Sequence, residues 1–178
     1  MTDRAVMLSI KPKYCKLIAS GKKTIEVRKT LPRITIPFKC YIYCTKDFYR
    51  KGDGYFQGKY CGKVIGEFIC DKTITVDCDS VAPFNKDTGE YIDKECCVDR
   101  DSFLRYGNYR CCCGWHISEL NIYDKPKELG EFKKLNRDCW YAHLGLAKRD
   151  CSECQNKECF VEHPPQSWCY VQEVSNND

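Results

Sequence analysis

Residues 21–28 read Gly-Lys-Lys-Thr-Ile-Glu-Val-Arg, and this stretch decides the fold because its pattern changes from a helix to a strand. Proline suits the first turn of a helix and glycine suits its left-handed C-terminal cap, so Pro12 and Gly21 predict a helix over residues 12–20. After the glycine, apolar side chains recur at every second position. Ile25 and Val27 therefore share one face of a predicted strand, and charged residues share the other.

The charged face of this strand carries a candidate site. Glu26 and Arg28 point the same way, and Lys23, at the turn into the strand, can reach that face. A guanidinium beside a carboxylate holds it ionised, and a nearby ammonium adds donors for a phosphate or a carbonyl oxygen. The same residue types also occur on any solvated face of a sheet. The spacing thus predicts either a ligand site of Lys23, Glu26 and Arg28 or an ordinary exposed strand.

Four residues of this stretch, Gly21, Lys23, Glu26 and Arg28, give the spacing G-x-K-x-x-E-x-R after a strand and a short helix. This arrangement resembles the ASCH domain, a relative of the PUA RNA-binding fold. Further similarities follow in the same order along the chain, at residues 62–68, 115–118 and 165–171. Together they are similar to the phage and prophage type of bacterial ASCH protein.

The resemblance implies an α+β fold, a small PUA-like mixed β-barrel with short flanking helices and a cleft beneath the motif. It implies that Lys23, Glu26 and Arg28 bind RNA or a nucleotide-like ligand in this cleft. We expect residues 1–135 to form the barrel core and residues 164–178 to form its final strand and tail.

The same resemblance implies an alternative activity. Some small ASCH proteins are amidohydrolases that act on N4-acetylcytidine with a lysine, a threonine and a distant glutamate. The lysine corresponds to Lys23, but Glu26 stands where the threonine is expected, and Thr24 directly follows the lysine. If the chain is an enzyme, its candidate catalytic residues are Lys23, Thr24 and Glu26. The displaced threonine favours binding over catalysis. A phage-encoded module that acts on host proteins is a third alternative, and no sequence feature favours it.

The composition is that of one domain. The chain has 178 residues, is 43% hydrophobic and carries a formal net charge of +4. No apolar run reaches roughly 18 residues, the length that a membrane helix needs, and the initial Met-Thr-Asp-Arg is unlike a secretory signal. We therefore expect a cytoplasmic protein without a membrane partner. Because the net charge is mild, any contact with nucleic acid depends on a local basic patch.

The chain has 16 cysteines, and some of them lie in predicted strands. Cys40, Cys44 and Cys70 are of this kind. In a reducing compartment a free cysteine behaves as a small hydrophobic residue, so these three are expected to pack in the core.

A cysteine-rich insertion is predicted at residues 136–163. Cys151, Cys154 and Cys159 have knuckle-like spacing, and three residues are available as a fourth ligand: Cys139, His143 and His163. Thiolates and imidazole suit tetrahedral zinc, so the sequence predicts structural zinc held by Cys139 and the three other thiols. Free surface thiols or adventitious disulfides are the alternative.

Other segments complete the expected barrel. Patterns of period 2 predict strands at residues 38–45, 62–71, 73–76, 115–123 and 168–174. Helical turns are predicted within residues 98–109 and 126–135. Trp115 and Trp168 are large enough to anchor the core.

Overall fold

The computed structural model describes residues 4–46, 60–134 and 159–173. Its strands are β1 Ala5–Ile10, β2 Ile25–Arg28, β3 Phe38–Cys44, β4 Val64–Cys70, β5 Thr73–Cys78, β6 Pro83–Asn85, β7 Cys112–His116, β8 Ser118–Lys127, β9 Phe132–Lys134 and β10 Trp168–Glu173. Its helices are α1 Pro12–Ala19, α2 Asp93–Cys96 and α3 Arg100–Gly107, with a 3-10 turn at Leu129–Glu131. The α+β class is confirmed. No helix in these ranges is both long and apolar enough to cross a membrane.

The strands form two sheets. Six of them have the order β8-β4-β3-β1-β10-β9, and four have the order β2-β7-β5-β6. In the larger sheet, β1 runs parallel to β3 and antiparallel to β10. The described strands show no ladder between the two sheets, so the expected mixed β-barrel is built as two sheets packed together.

Strand β1 lies inside the larger sheet and is covered on both faces. Val6 and Leu8 pack on one face with Cys40, which pairs with Val6 across to β3. Met7 packs on the opposite face with its own β3 partner, Tyr41. Because both faces are covered, β1 is an almost continuous apolar run.

The predicted helix and most of the predicted strands are confirmed. Helix α1 ends at Ala19, and Gly21 has φ +71°, the left-handed conformation that glycine adopts at a helix end. The single strand predicted at residues 115–123 is wrong, because β7 and β8 belong to different sheets. The helical turns predicted at residues 126–135 are limited to one 3-10 turn, since the chain continues as β9 and pairs with β10.

Trp115 packs the smaller sheet against the larger one. It is fully buried on β7 and meets Phe38 of β3 edge to face, with the ring centroids 5.5 Å apart. The ring centroid of Trp168, on β10, lies 6.3 Å from that of Trp115, and Trp168 is half-buried. The predicted core role is therefore confirmed for Trp115, and Trp168 lies at the margin of the core. The core role predicted for Cys40, Cys44 and Cys70 is also confirmed, because all three are fully buried.

We predict that Gly66→Ala destabilises the pairing of β4 with β8. A Cβ atom at this position would lie 2.5 Å from the backbone oxygen of Asn121, so the two strands would have to separate. The expected loss is about 1–3 kcal/mol of unfolding free energy, the usual cost of overpacking, measured by urea denaturation. Gly130→Ala is the matched control, because no described atom lies within 4 Å of a Cβ there. Equal midpoints for the two variants would contradict the prediction.

Candidate functional site

Lys23, Glu26 and Arg28 are buried together at the edge strand of the smaller sheet. Their exposed fractions are 2%, 4% and 5%. The alternative of a solvated strand face is therefore wrong. Strand β2 is covered on both sides, since Ile25 and Val27 pack into the apolar cluster of the smaller sheet.

Lys23 is held by groups that are distant from it in sequence. Its Nζ atom donates to the backbone oxygen of Ile25, at 2.8 Å, and to that of Cys96, the last residue of α2. The ammonium also lies 3.4 Å from Oε2 of Glu26 and 5.1 Å from the ring centre of Tyr14. Two of its three N–H bonds are thus used by the protein backbone, and its charge is matched by Glu26.

Arg28 connects Glu26 to the larger sheet. Its Nη1 atom donates to Oε1 of Glu26 and to the backbone oxygen of Val27, and its Nη2 atom donates to the backbone oxygen of Ser9, at 2.9 Å. Within the described residues, Oε2 of Glu26 and Nε of Arg28 are buried without a hydrogen-bond partner. An unsatisfied buried polar atom costs about 1–3 kcal/mol, so this pair is poised to accept a partner. Glu26 therefore keeps one acceptor atom, and Arg28 one donor atom, without a hydrogen bond.

These residues form the floor of a cleft of about 880 Å³. Four basic residues line it above the floor: Lys11, Lys13, Lys29 and Arg105. Glu26 is the only acidic residue among the described residues that line the cleft. Tyr14 and Tyr106 contribute aromatic walls. The electrostatic character of the opening is therefore positive, although the chain as a whole has only a mild net charge.

Three solved structures have the same fold, and all are of the ASCH protein from Zymomonas mobilis. The unaltered protein is 17% identical, with a TM-score of 0.51 over 96% of this chain and 89% of that one. Two of its mutants, both 16% identical, give TM-scores of 0.56 and 0.51 over 94% of this chain and 88% and 90% of theirs. This chain has the ASCH fold. No protein-family model matches the sequence, and no curated protein matches it.

Within this ASCH fold, Thr24 is separated from the other candidate residues. It is absent from the residues that line the described cleft. Its backbone N–H donates to the oxygen of Glu95, and its backbone oxygen accepts from Ile117, which fixes it at the junction of β2 with α2 and β8. The structure therefore brings Lys23, Glu26 and Arg28 together and leaves Thr24 outside.

The sequence patterns did not predict several residues that line the cleft. Thr45 follows β3, Ser102 and Tyr106 lie on α3, and none of them belongs to the motif. Burial raises the pKa of Tyr106, so its hydroxyl group remains a donor at neutral pH. The mixture of Phe, Leu and Tyr with charged residues in the α3 sequence indicates a helix, but it gives no sign that this helix forms a cleft wall.

Most residues of the predicted zinc site lie outside the part of the chain that the structure describes. Cys139, Cys151 and Cys154 lie outside the described residues, and Cys159 is half-buried next to the bridge between Phe160 and Lys133. Zinc at these four thiols stays a prediction. The described ranges contain no group of three or more His, Cys, Asp or Glu residues suited to a metal ion.

We predict that Lys23→Ala lowers the unfolding free energy by about 3–5 kcal/mol, the usual cost of removing one member of a buried ion pair. The variant leaves two backbone oxygens and the Glu26 carboxylate without the ammonium. Urea denaturation measures the loss. Lys16→Ala, an exposed change on α1, is the control and should alter stability by less than about 0.5 kcal/mol. Similar midpoints would show that the Lys23 ammonium does not hold the site together.

Proposed function

We propose that this chain is an ASCH-type protein that binds single-stranded RNA or a nucleotide-like ligand in the cleft. One observation carries the proposal. Glu26 and Arg28 line a cleft whose other charged residues are all basic, and within the described residues each keeps one buried polar atom without a hydrogen bond, Oε2 of Glu26 and Nε of Arg28. An anionic ligand with a hydrogen-bonding edge satisfies both features.

The floor of the cleft fits the edge of a nucleobase. Oε2 of Glu26 accepts from an exocyclic amine or a ring N–H, and Nε of Arg28 donates to a neighbouring ring nitrogen or carbonyl. Lys23 acts mainly as an anchor for the carboxylate, because the backbone already uses two of its N–H bonds. Base recognition therefore depends on Glu26 and Arg28.

The walls of the cleft fit the rest of a nucleotide. Lys29 and Arg105 can neutralise phosphate oxygens, which are the dominant source of affinity for nucleic acids. The Lys29 ammonium lies 5.3 Å from the ring centre of Tyr106, which places a cation beside an aromatic face. Bases stack on such rings in single-stranded complexes.

The geometry favours binding over hydrolysis of N4-acetylcytidine. A hydrolase of the expected kind needs an activated hydroxyl group next to the lysine. Thr24 lies outside the cleft lining, and the Lys23 side chain already donates to two backbone carbonyls, so it is engaged in holding the fold. The phage or prophage subtype and a cytoplasmic location stay predictions from the sequence.

We predict that Lys29→Ala with Arg105→Ala weakens binding of labelled single-stranded RNA of every sequence. Each lost phosphate contact reduces the salt dependence, by about 0.7 for a single strand, so the magnitude of the slope of log affinity against log salt should fall by about 1.4. Fluorescence anisotropy over a salt series measures both effects. The control is Lys16→Ala with Lys72→Ala, which makes the same change in net charge on exposed residues outside the cleft. If both double variants behave alike, the cleft is not the binding site.

Glu26→Gln tests the floor separately. Replacing one carboxylate oxygen by an amide N–H should change base preference, with a loss of about 10- to 100-fold for homopolymers whose bases present an amine to Glu26. Binding to all four homopolymers should be compared, and thermal unfolding should confirm that the variant is folded. An unchanged order of preference would contradict base recognition by Glu26.

Incubation with N4-acetylcytidine distinguishes the hydrolase. We expect chromatography to show no release of cytidine at high protein concentration. Release by the unaltered protein, and not by Glu26→Gln, would replace the binding proposal with an amidohydrolase that uses another hydroxyl group of the cleft.

A further inference from the structure

Three cysteine side chains meet behind the wall of the cleft. Sγ of Cys44, at the end of β3, lies 3.9 Å from Sγ of Cys61. Cys15 of α1 also interacts with Cys44. Cys15 and Cys44 are fully buried, and Cys61 is partly exposed. One member of the cluster is therefore accessible to a small reagent, and the other two are enclosed.

The backbone fixes the two closest thiols opposite each other. Cys44 donates its N–H to the oxygen of Lys63 at 2.9 Å, and its own oxygen accepts from the N–H of Gly62 at 2.8 Å. Gly62 and Lys63 thus both oppose Cys44, which is the arrangement of a β-bulge. Gly62 has a φ of +85°, the left-handed conformation that the first residue of such a bulge adopts. Cys61 directly precedes this bulge, so its sulfur is held beside that of Cys44.

The surroundings of Cys44 favour its thiolate. Hydrogen bonding from Cys15 lowers the pKa of Cys44, burial opposes this change, and the contact with Cys61 adds to it. Burial raises the pKa of Cys15 well above its usual range, so Cys15 retains its proton, and its thiol also donates to the backbone oxygen of Ile10 at 3.5 Å. Burial also raises the pKa of Cys40 and of Cys70, which lie in neighbouring strands. Since the thiolate is the nucleophile, Cys44 differs in reactivity from these packing cysteines.

We propose that Cys44 and Cys61 form an oxidation site that closes to an intramolecular disulfide in the presence of a peroxide. The partly exposed Cys61 thiol gives up its proton and its sulfur attacks one peroxide oxygen; the O–O bond breaks, the departing hydroxide takes up that proton as water, and Cys61 becomes a sulfenic acid. The Cys44 thiolate then attacks the Cys61 sulfur, and the S–S bond forms as hydroxide leaves and takes up a proton. Two thiols lose two hydrogens and two electrons, and hydrogen peroxide is reduced to two waters.

The required movement is small. A disulfide has a sulfur separation of about 2.05 Å, so the two atoms, now 3.9 Å apart, must approach by about 2 Å. The site does not depend on the proposed nucleotide binding. It nevertheless adjoins the cleft, because Tyr14 and Thr45, the chain neighbours of Cys15 and Cys44, belong to the cleft lining.

The test is peptide mapping of the full chain after oxidation. Reduced protein receives one equivalent of hydrogen peroxide, free thiols are blocked with N-ethylmaleimide, and trypsin digestion is followed by mass spectrometry without reduction. Cleavage after lysine gives the peptides 40–46 and 60–63, which contain the two thiols. We expect these peptides joined, two hydrogens lighter than their sum, as the most abundant cross-link, and separated again by dithiothreitol.

Matched variants assign the link. Peptide 40–46 also contains Cys40, so Cys40→Ser should keep the cross-link, and Cys44→Ser and Cys61→Ser should abolish it. Cys15→Ala should slow its formation, because the side-chain donor that lowers the pKa of Cys44 is removed. Thermal unfolding of each variant confirms that it is folded. A link through Cys40, or a Cys44–Cys61 link no more abundant than other cysteine pairs, would overturn the proposal.

Discussion

The burial of three charged side chains, Lys23, Glu26 and Arg28, is the constraint on which the rest of the structure depends. Isolated charges are too costly to bury, so each must meet a partner of opposite charge or a backbone oxygen. Lys23 donates a hydrogen bond to the backbone oxygen of Cys96 at the end of α2, and Arg28 donates one to the backbone oxygen of Ser9 near the end of β1. The ion group therefore connects the smaller sheet to the larger one at the position where Trp115 packs them together.

The same constraint supports the proposed binding. Most of the hydrogen-bonding capacity of the three side chains is used within the protein, which fixes their positions. Within the described residues, Oε2 of Glu26 and Nε of Arg28 have no hydrogen bond, and the Lys23 ammonium lies 3.4 Å from that oxygen. A preorganised acceptor and donor at the bottom of a basic cleft have little conformational entropy to lose when a ligand binds, which favours specificity in the floor and affinity at the walls.

The cysteines show how one residue type takes different roles in one fold. Cys40 and Cys70 are buried on neighbouring strands and act as small apolar side chains. Cys44 lies on the same strand as Cys40, yet the bulge at Gly62 brings a second sulfur against it. A local irregularity of the sheet thus gives Cys44 a second sulfur as its neighbour.

The sequence by itself determined α1 with its Gly21 cap, the strand character of residues 25–28 and most of the larger sheet, because local periodicity and caps act over a few residues. Tertiary structure alone decided that the charged face of β2 is buried, because alternation shows which side chains share a face and not what covers it. It also decided that the partner of Lys23 is Cys96, 73 residues away, and that Thr24 lies outside the cleft lining. Such contacts depend on how separate elements pack, and no local pattern encodes that packing.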